Sequence, residues 1–202
     1  MSTVLLSTTY FGPVQWYQKL NRYEHVLLEA CEHYQKQTWR NRCVIATTQG
    51  LQALTLPVEG STKSCIRDIR ISDHDNWRRQ HWNALLTAYS ESPFFEYYAD
   101  DIRPFYEKHW RYLFDYNLEA AHTVCRLLDL RPRITLTTQY LKNTPQDTDD
   151  FRTAIRAKHP DADPQFEPRP YYQVFAARNG FLPNLSVLDL LFNMGPEGIF
   201  YL

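Results

Sequence analysis

Between residues 34 and 42 the chain reads Tyr-Gln-Lys-Gln-Thr-Trp-Arg-Asn-Arg, gathering Lys36, Arg40 and Arg42 with amide side chains and two aromatics. Guanidinium forks hold carboxylate or phosphate oxygens in pairs, and Tyr or Trp rings stack on a planar ring or sugar face. The pattern points to an anionic small-molecule ligand. The same composition also makes an ordinary exposed basic turn, and composition alone does not separate the two readings. A proton-transfer group is offered by His81. On a helix starting at Trp77 it shares one side with Trp77, Leu85 and Ala88, and its unperturbed pKa lies near neutral pH. A histidine on an apolar face is also commonly a satisfied core residue.

Other constellations are thinner. Glu119-x-x-His122 has the spacing of di-iron bundle ligands, but no second such pair exists, so a solvated helix flank is expected. In Asp73-His74-Asp75 adjacent side chains point in different directions, and no metal or other cofactor is expected. Thr8 to Pro13 runs from a strand into a helix N-terminus, a weak anion site because Pro13 lacks an N–H. No G-x-S-x-G elbow occurs.

Composition narrows the classes. Only 6 glycines occur in 202 residues, and neither G-x-G-x-x-G nor G-x-x-x-x-G-K-[ST] is present, which excludes a dinucleotide fingerprint and a P-loop. The net charge of -1 argues against a nucleic-acid partner, which usually demands a basic excess. The four cysteines are scattered without a C-x-x-C pair, so they read as reduced thiols. With no signal-like leader and no apolar run of membrane-spanning length, a cytoplasmic location is expected.

The elements that must position these residues follow from hydrophobic period. Strands are expected at Val4 to Thr9, His25 to Leu28, Ile66 to Ile71, Ile134 to Tyr140 and Tyr172 to Ala177. A hairpin turning at Gln49-Gly50 joins Cys43–Thr48 to Leu51–Val58. Helices are expected after Pro13, from Trp77 with Asp73 or Asp75 as cap, in one or two pieces from Phe94 to Leu130 with a junction at Pro104, and after Ser186. Interleaved strands and helices give an α/β fold, a mixed sheet with helices packed against it in one compact domain over residues 1–202. Residues 143–170, rich in Pro and Asp, are expected as an acidic surface loop, with a short helix at Phe151 to Lys158.

The order of several motifs resembles the WbqC-like family of bacterial proteins. These are Tyr10-Phe11-Gly12-Pro13 entering a helix, residues 34–42, Leu54-Thr55-Leu56-Pro57-Val58, Trp77-Arg78-Arg79-Gln80-His81-Trp82, Ser92-Pro93-Phe94-Phe95, and the tail from Phe181 to Asn193. Together they run from residue 10 to residue 195. The family is associated with surface-polysaccharide (O-antigen) gene clusters. The resemblance therefore implies a transferase acting on an activated sugar, phosphorylated or nucleotide-linked. It also directs attention to Tyr10, Lys36, Asn41, Arg42, His81, Asn184 and Asp189. Joined with the residue-level reading, the expected substrate contacts are Tyr10, Lys36, Trp39, Arg40, Asn41, Arg42, Asn184 and Asp189, with His81 catalytic. Ser7-Thr8-Thr9 stands where the family more often has Gln-Pro, and Cys43 where many members have Asn. A non-catalytic binding or assembly protein is the alternative.

Overall fold

A computed structural model describes residues 2–158 and 160–202. The first strand, β1 (Thr3–Ser7), is apolar and buried along its middle. It feeds through Gly12-Pro13 into α1 (Val14–Arg22) and returns as β2 (His25–Glu29), a β-α-β unit with parallel pairing from Thr3↔His25 to Ser7↔Glu29. Gly12 is required by close approach, since a Cβ there would lie 2.4 Å from Thr9 Oγ1. Next come the hairpin strands β3 (Arg42–Thr47) and β4 (Gly50–Thr55), where Gly50 supplies the positive φ of 97° after the turn. A two-stranded ribbon follows, β5 (Val58–Glu59) with β6 (Arg70–Ile71).

The helical half contains α2 (Trp77–Tyr89), α3 (Phe95–Ile102), α4 (Pro104–Glu107) and α5 (Leu113–Leu127). The chain then returns to the main sheet as β7 (Arg133–Leu136) and β8 (Thr148–Asp150), and ends with α6 (Ala176–Asn179), α7 (Val187–Met194) and a 3-10 segment. The main sheet has the order β7-β2-β1-β8, all parallel. Successive strands step outward from β1 on one side, and β8 then joins β1 on the other. Parallel and antiparallel pairing thus coexist in this α/β chain, in separate sheets.

One apolar core continues from the sheet into the helical half, where Tyr10, Phe11, Trp77, Phe105, Tyr106 and Tyr116 pack edge to face. Ser186 caps α7 as expected, its Oγ accepting from Leu188 N–H at 3.3 Å.

Several local expectations change. Ile66 to Ile71 divides into a 3-10 turn (Ile66–Asp68) and β6, because Ile66 and Ile69 both point into the core. Residues 94 to 130 form three helices. Asn76, without a side-chain bond, occupies the cap of α2, while Asp73 pairs with Arg78 at 2.6 Å. Tyr172 to Ala177 is not a strand; Gln173 is instead drawn inward to Leu182 and Asp189. Residues 151–158 form turns, and β8 just before them joins the sheet edge, with Phe151, Ala154 and Ile155 buried behind it.

Candidate functional site

A parallel sheet presents all its strand carboxyl ends along one edge, so chain reversals there bring side chains from distant segments together. Two acid–base clusters tie this edge. In the first, Glu32 lies just beyond β2 and takes Arg40 as a two-point partner: Nε donates to Oε1 at 2.8 Å and Nη2 to Oε2. Ser7, the last residue of β1, donates to Glu32 Oε2 at 3.0 Å and accepts from Arg40 Nη2 at 2.8 Å. In the second, Glu29 ends β2 fully buried and accepts from Thr137 Oγ1 (2.6 Å), the Cys31 and Leu141 amides, and Arg152 Nη1 (3.2 Å). Arg152 also grips Asp150, with Nη2 to Oδ2 at 2.7 Å, and its guanidinium lies 5.3 Å from the Tyr140 ring centre. Burial alone would raise the Asp150 carboxyl, but the bonds from Arg152 and Thr144 together hold it below the usual carboxylate range.

Beside these clusters, a cavity of about 490 Å³ opens between the carboxyl ends of β2 and β7. Cys31, Glu32, His33 and Gln35 line one side, Tyr140 and Lys142 the other. Glu32 is committed to Arg40 and Ser7, and the Cys31 thiol lies 3.6 Å from the Thr137 carbonyl. Among the described residues, the side chains of His33, Gln35, Tyr140 and Lys142 have no hydrogen-bond partner in the protein. Lys36 is exposed between Gln35 and Gln37, and Lys158 donates to Gln37 Oε1 at 2.8 Å. Lys142 thus lines the cavity, with Lys36 next in the chain to the lining residue Gln35 and Lys158 bonded two residues further on. Ammonium groups to attract phosphate, an aromatic face to stack and amides to meet hydroxyls are the components of a polar small-molecule site.

The residues singled out from the sequence separate into four places. Arg40 is buried against Glu32 beside the sheet-edge cavity, while Lys36 is exposed next to the lining residue Gln35 and is not itself part of the lining. Trp39 is half-buried on the core, Asn41 donates to the Leu56 carbonyl at 2.9 Å, and Arg42 Nε donates to Thr55 Oγ1 at 3.1 Å.

Tyr10 and His81 meet in the interior. The Tyr10 hydroxyl lies 2.9 Å from His81 Nδ1 and 3.1 Å from the Tyr106 hydroxyl. Burial lowers the His81 pKa to about 4, with a hydrogen bond to the Thr55 backbone pulling more weakly the other way. At neutral pH the ring is uncharged. His81 does not line the cavity at the sheet edge.

Asp189, on α7, is also interior. It accepts from the hydroxyls of Tyr171 (2.7 Å) and Tyr89 (2.9 Å) and from Gln173 Nε2 (3.0 Å). Burial raises its carboxyl pKa, and these donors offset part of the rise. Asn184, at φ 54°, exchanges hydrogen bonds with Gln15: Oδ1 accepts from Gln15 N–H at 3.0 Å and Nδ2 donates to Oε1 at 3.2 Å. His81, Arg42 and Asn184 thus do not share the sheet-edge cavity. Glu119 and His122 lie exposed on α5.

Glu29, Glu32, Tyr140, Lys142 and Arg152 went unrecognised as site residues. Their signal in the sequence is slight: Glu29 closes the apolar run Val26-Leu27-Leu28, as an acid at a strand's carboxyl end, but nothing local brings Arg152 to it. Among the described residues, no group of three or more His, Cys, Asp or Glu could hold a metal ion. Among the described residues, no helix is long and apolar enough to cross a membrane.

The fold and its edge cavity define an α/β protein with a polar cleft at the carboxyl end of a short parallel sheet. The model of the WbqC-like protein family matches residues 8–162, and the chain belongs to that family. The uncharacterized protein Rv1507c of Mycobacterium tuberculosis (strain ATCC 25618 / H37Rv) is similar to it, 33% identical over 199 residues, covering 84% of this chain and 83% of the relative. No solved structure matches.

Proposed function

We propose that the sheet-edge cavity binds an anionic, hydroxyl-bearing small molecule, a phosphorylated or nucleotide-linked sugar, and that the protein acts as a transferase on it. The observation that carries this reading is the convergence of Tyr140, Lys142, His33 and Gln35 on one cavity, with Lys36 and Lys158 nearby. Lys142 and Lys36 neutralise phosphate, Tyr140 stacks on the sugar or base, and Gln35 meets hydroxyl groups. The paired charges of Glu29, Glu32, Arg40 and Arg152 are saturated within the protein and hold the walls in place, so ligand charge falls to the lysines. His33 contributes ring nitrogens that can donate or accept a hydrogen bond to the ligand.

A thermal-shift panel of sugar phosphates and nucleotide-sugars tests this. Saturation by a ligand at about a hundred times its Kd stabilises the folded state by about 2.7 kcal/mol, a shift of several degrees. A Lys36→Ala/Lys142→Ala variant is expected to lose that shift while melting normally by itself. A panel without any shift in the unmodified chain overturns the reading.

A binding role without turnover is the second reading. It is favoured by the pairing of the carboxylates at this edge, Glu29, Glu32 and Asp150, which leaves no unpaired acid beside the cavity among the described residues. Ligand-induced stabilisation with no product formed in the same mixture supports it.

A further inference from the structure

A second cavity, of about 530 Å³, lies between the hairpin turn and the outer face of α2, closed on one side by Phe175. Its chemistry is the opposite of the first. Charged residues make up 22% of the chain, yet no ionisable side chain lines this cavity. Four carboxamides do: Gln49 and Gln52 from the hairpin, Gln80 and Asn83 from α2. None of the four side chains hydrogen-bonds to another described residue. Threonine hydroxyls stand between them, and Ala84, Ala88 and Phe175 supply a small apolar patch.

The walls are fixed independently of any ligand. Asn179 Nδ2 donates to the Thr47 carbonyl at 2.9 Å, Thr47 Oγ1 donates to the Gly50 carbonyl at 3.0 Å, and the Tyr89 hydroxyl accepts from Ala46 N–H at 3.3 Å, tying the hairpin to α2. The amides are therefore presented on a built surface.

We infer that this cavity is a binding site for a neutral polyhydroxylated ligand of the carbohydrate class. A carboxamide both donates and accepts, which matches the alternating donor and acceptor character of adjacent sugar hydroxyls. The apolar patch suits the C–H face of a pyranose ring. A phosphorylated or carboxylated ligand would find no cation to compensate its lost hydration, so the uncharged lining selects against it. This site is distinct in position and preference from the sheet-edge cavity, and either can fail without the other.

Saturation-transfer NMR on the full chain tests the assignment with maltotriose, triacetylchitotriose, trigalacturonic acid and the main-chain mimic acetyl-Gly-Gly-amide. Every arm is read in a Lys36→Ala/Lys142→Ala background, which removes the cations proposed to serve the sheet-edge cavity, so that the charged arm reports on this site alone. Transfer to a neutral trisaccharide is expected there, with none to the trigalacturonate. The Gln80→Ala/Asn83→Ala variant, both positions being exposed on α2, is expected to weaken that binding by at least about tenfold. A matching Gln52→Ala variant, on the opposite wall, is expected to weaken it as well. Absence of transfer to both neutral trisaccharides, equal transfer to the charged one, preference for the peptide mimic, or unaltered binding by both variants overturns the inference.

Discussion

Arg40 and Asp189 both look from the sequence like ligand contacts, and both are buried charge-bearing residues with every nearby partner supplied by the protein. They are held in contrasting ways. Arg40 sits at the sheet edge in a two-point ion pair with Glu32, reinforced by Ser7. Asp189 sits in the helical half with no cation, surrounded by two phenol hydroxyls and an amide. In the first case charge is balanced by charge, so the cluster is rigid and depends on both members. In the second, neutral donors only partly offset the cost of burial, and the carboxyl is shifted toward its protonated form.

The largest effect that would break this comparison is expected at the ion pair. Arg40→Met leaves Glu32 buried and unpaired, and is expected to destabilise the fold by about 4 kcal/mol. The double variant Arg40→Met/Glu32→Leu is expected to recover most of that loss in urea unfolding, because removing both partners removes the stranded charge. A double variant as unstable as the single one would mean that the pair's packing, not its charge, holds the edge.

A smaller loss is expected at Asp189. Asp189→Ala strands the Tyr89 and Tyr171 hydroxyls and the Gln173 amide at a cost of about 3 kcal/mol, the range for a few neutral donors that rearrange in part. Equal losses at Asp189 and Arg40 would erase the distinction between charged and neutral networks.

The smallest effect sharpens the comparison through pH. His81 is held neutral with its pKa lowered from 6.5 to about 4 by burial. The unfolded chain therefore binds a proton between these values that the folded chain does not. Stability from this group is complete above pH 6.5 and falls as pH drops toward 4, by about 2 kcal/mol at pH 5. His81→Gln is expected to flatten that slope between pH 6.5 and 4 in urea titrations. An unchanged slope would mean that the ring is charged in the folded protein.

Much of the framework is legible locally. The strand at Val4 to Leu6, the proline-led helix after it, the hairpin about Gln49-Gly50, the helix from Trp77 and the Ser186 cap each follow from period-2 or period-3.6 patterning and from residues with a fixed backbone preference. β8 was not legible. Thr148-Asp149-Asp150 has the composition of a solvated loop and becomes a strand because β1 offers an unpaired edge. Tyr172 to Ala177 shows the reverse: it has strand composition without a strand to pair with, and Gln173 is recruited by Asp189.

The candidate site was legible in part for the same reason. A cluster of Lys36, Arg40 and Arg42 within seven residues is visible in one dimension, and Gln35, the neighbour of Lys36 in that segment, lines the edge cavity. Which cation stays free depends on acids far away in the chain or around a turn. Arg40 is consumed by Glu32, and Lys142, more than a hundred residues later, takes a place in the cavity wall.

The sequence by itself determined the α/β alternation, the absence of a backbone phosphate cradle and the local density of basic and aromatic side chains, all properties of neighbours along the chain. Only the tertiary structure decided which of those charges are spent inside the protein. A buried ion must find its partner wherever the fold supplies one, and here the partner of Glu29 lies 123 residues away at Arg152.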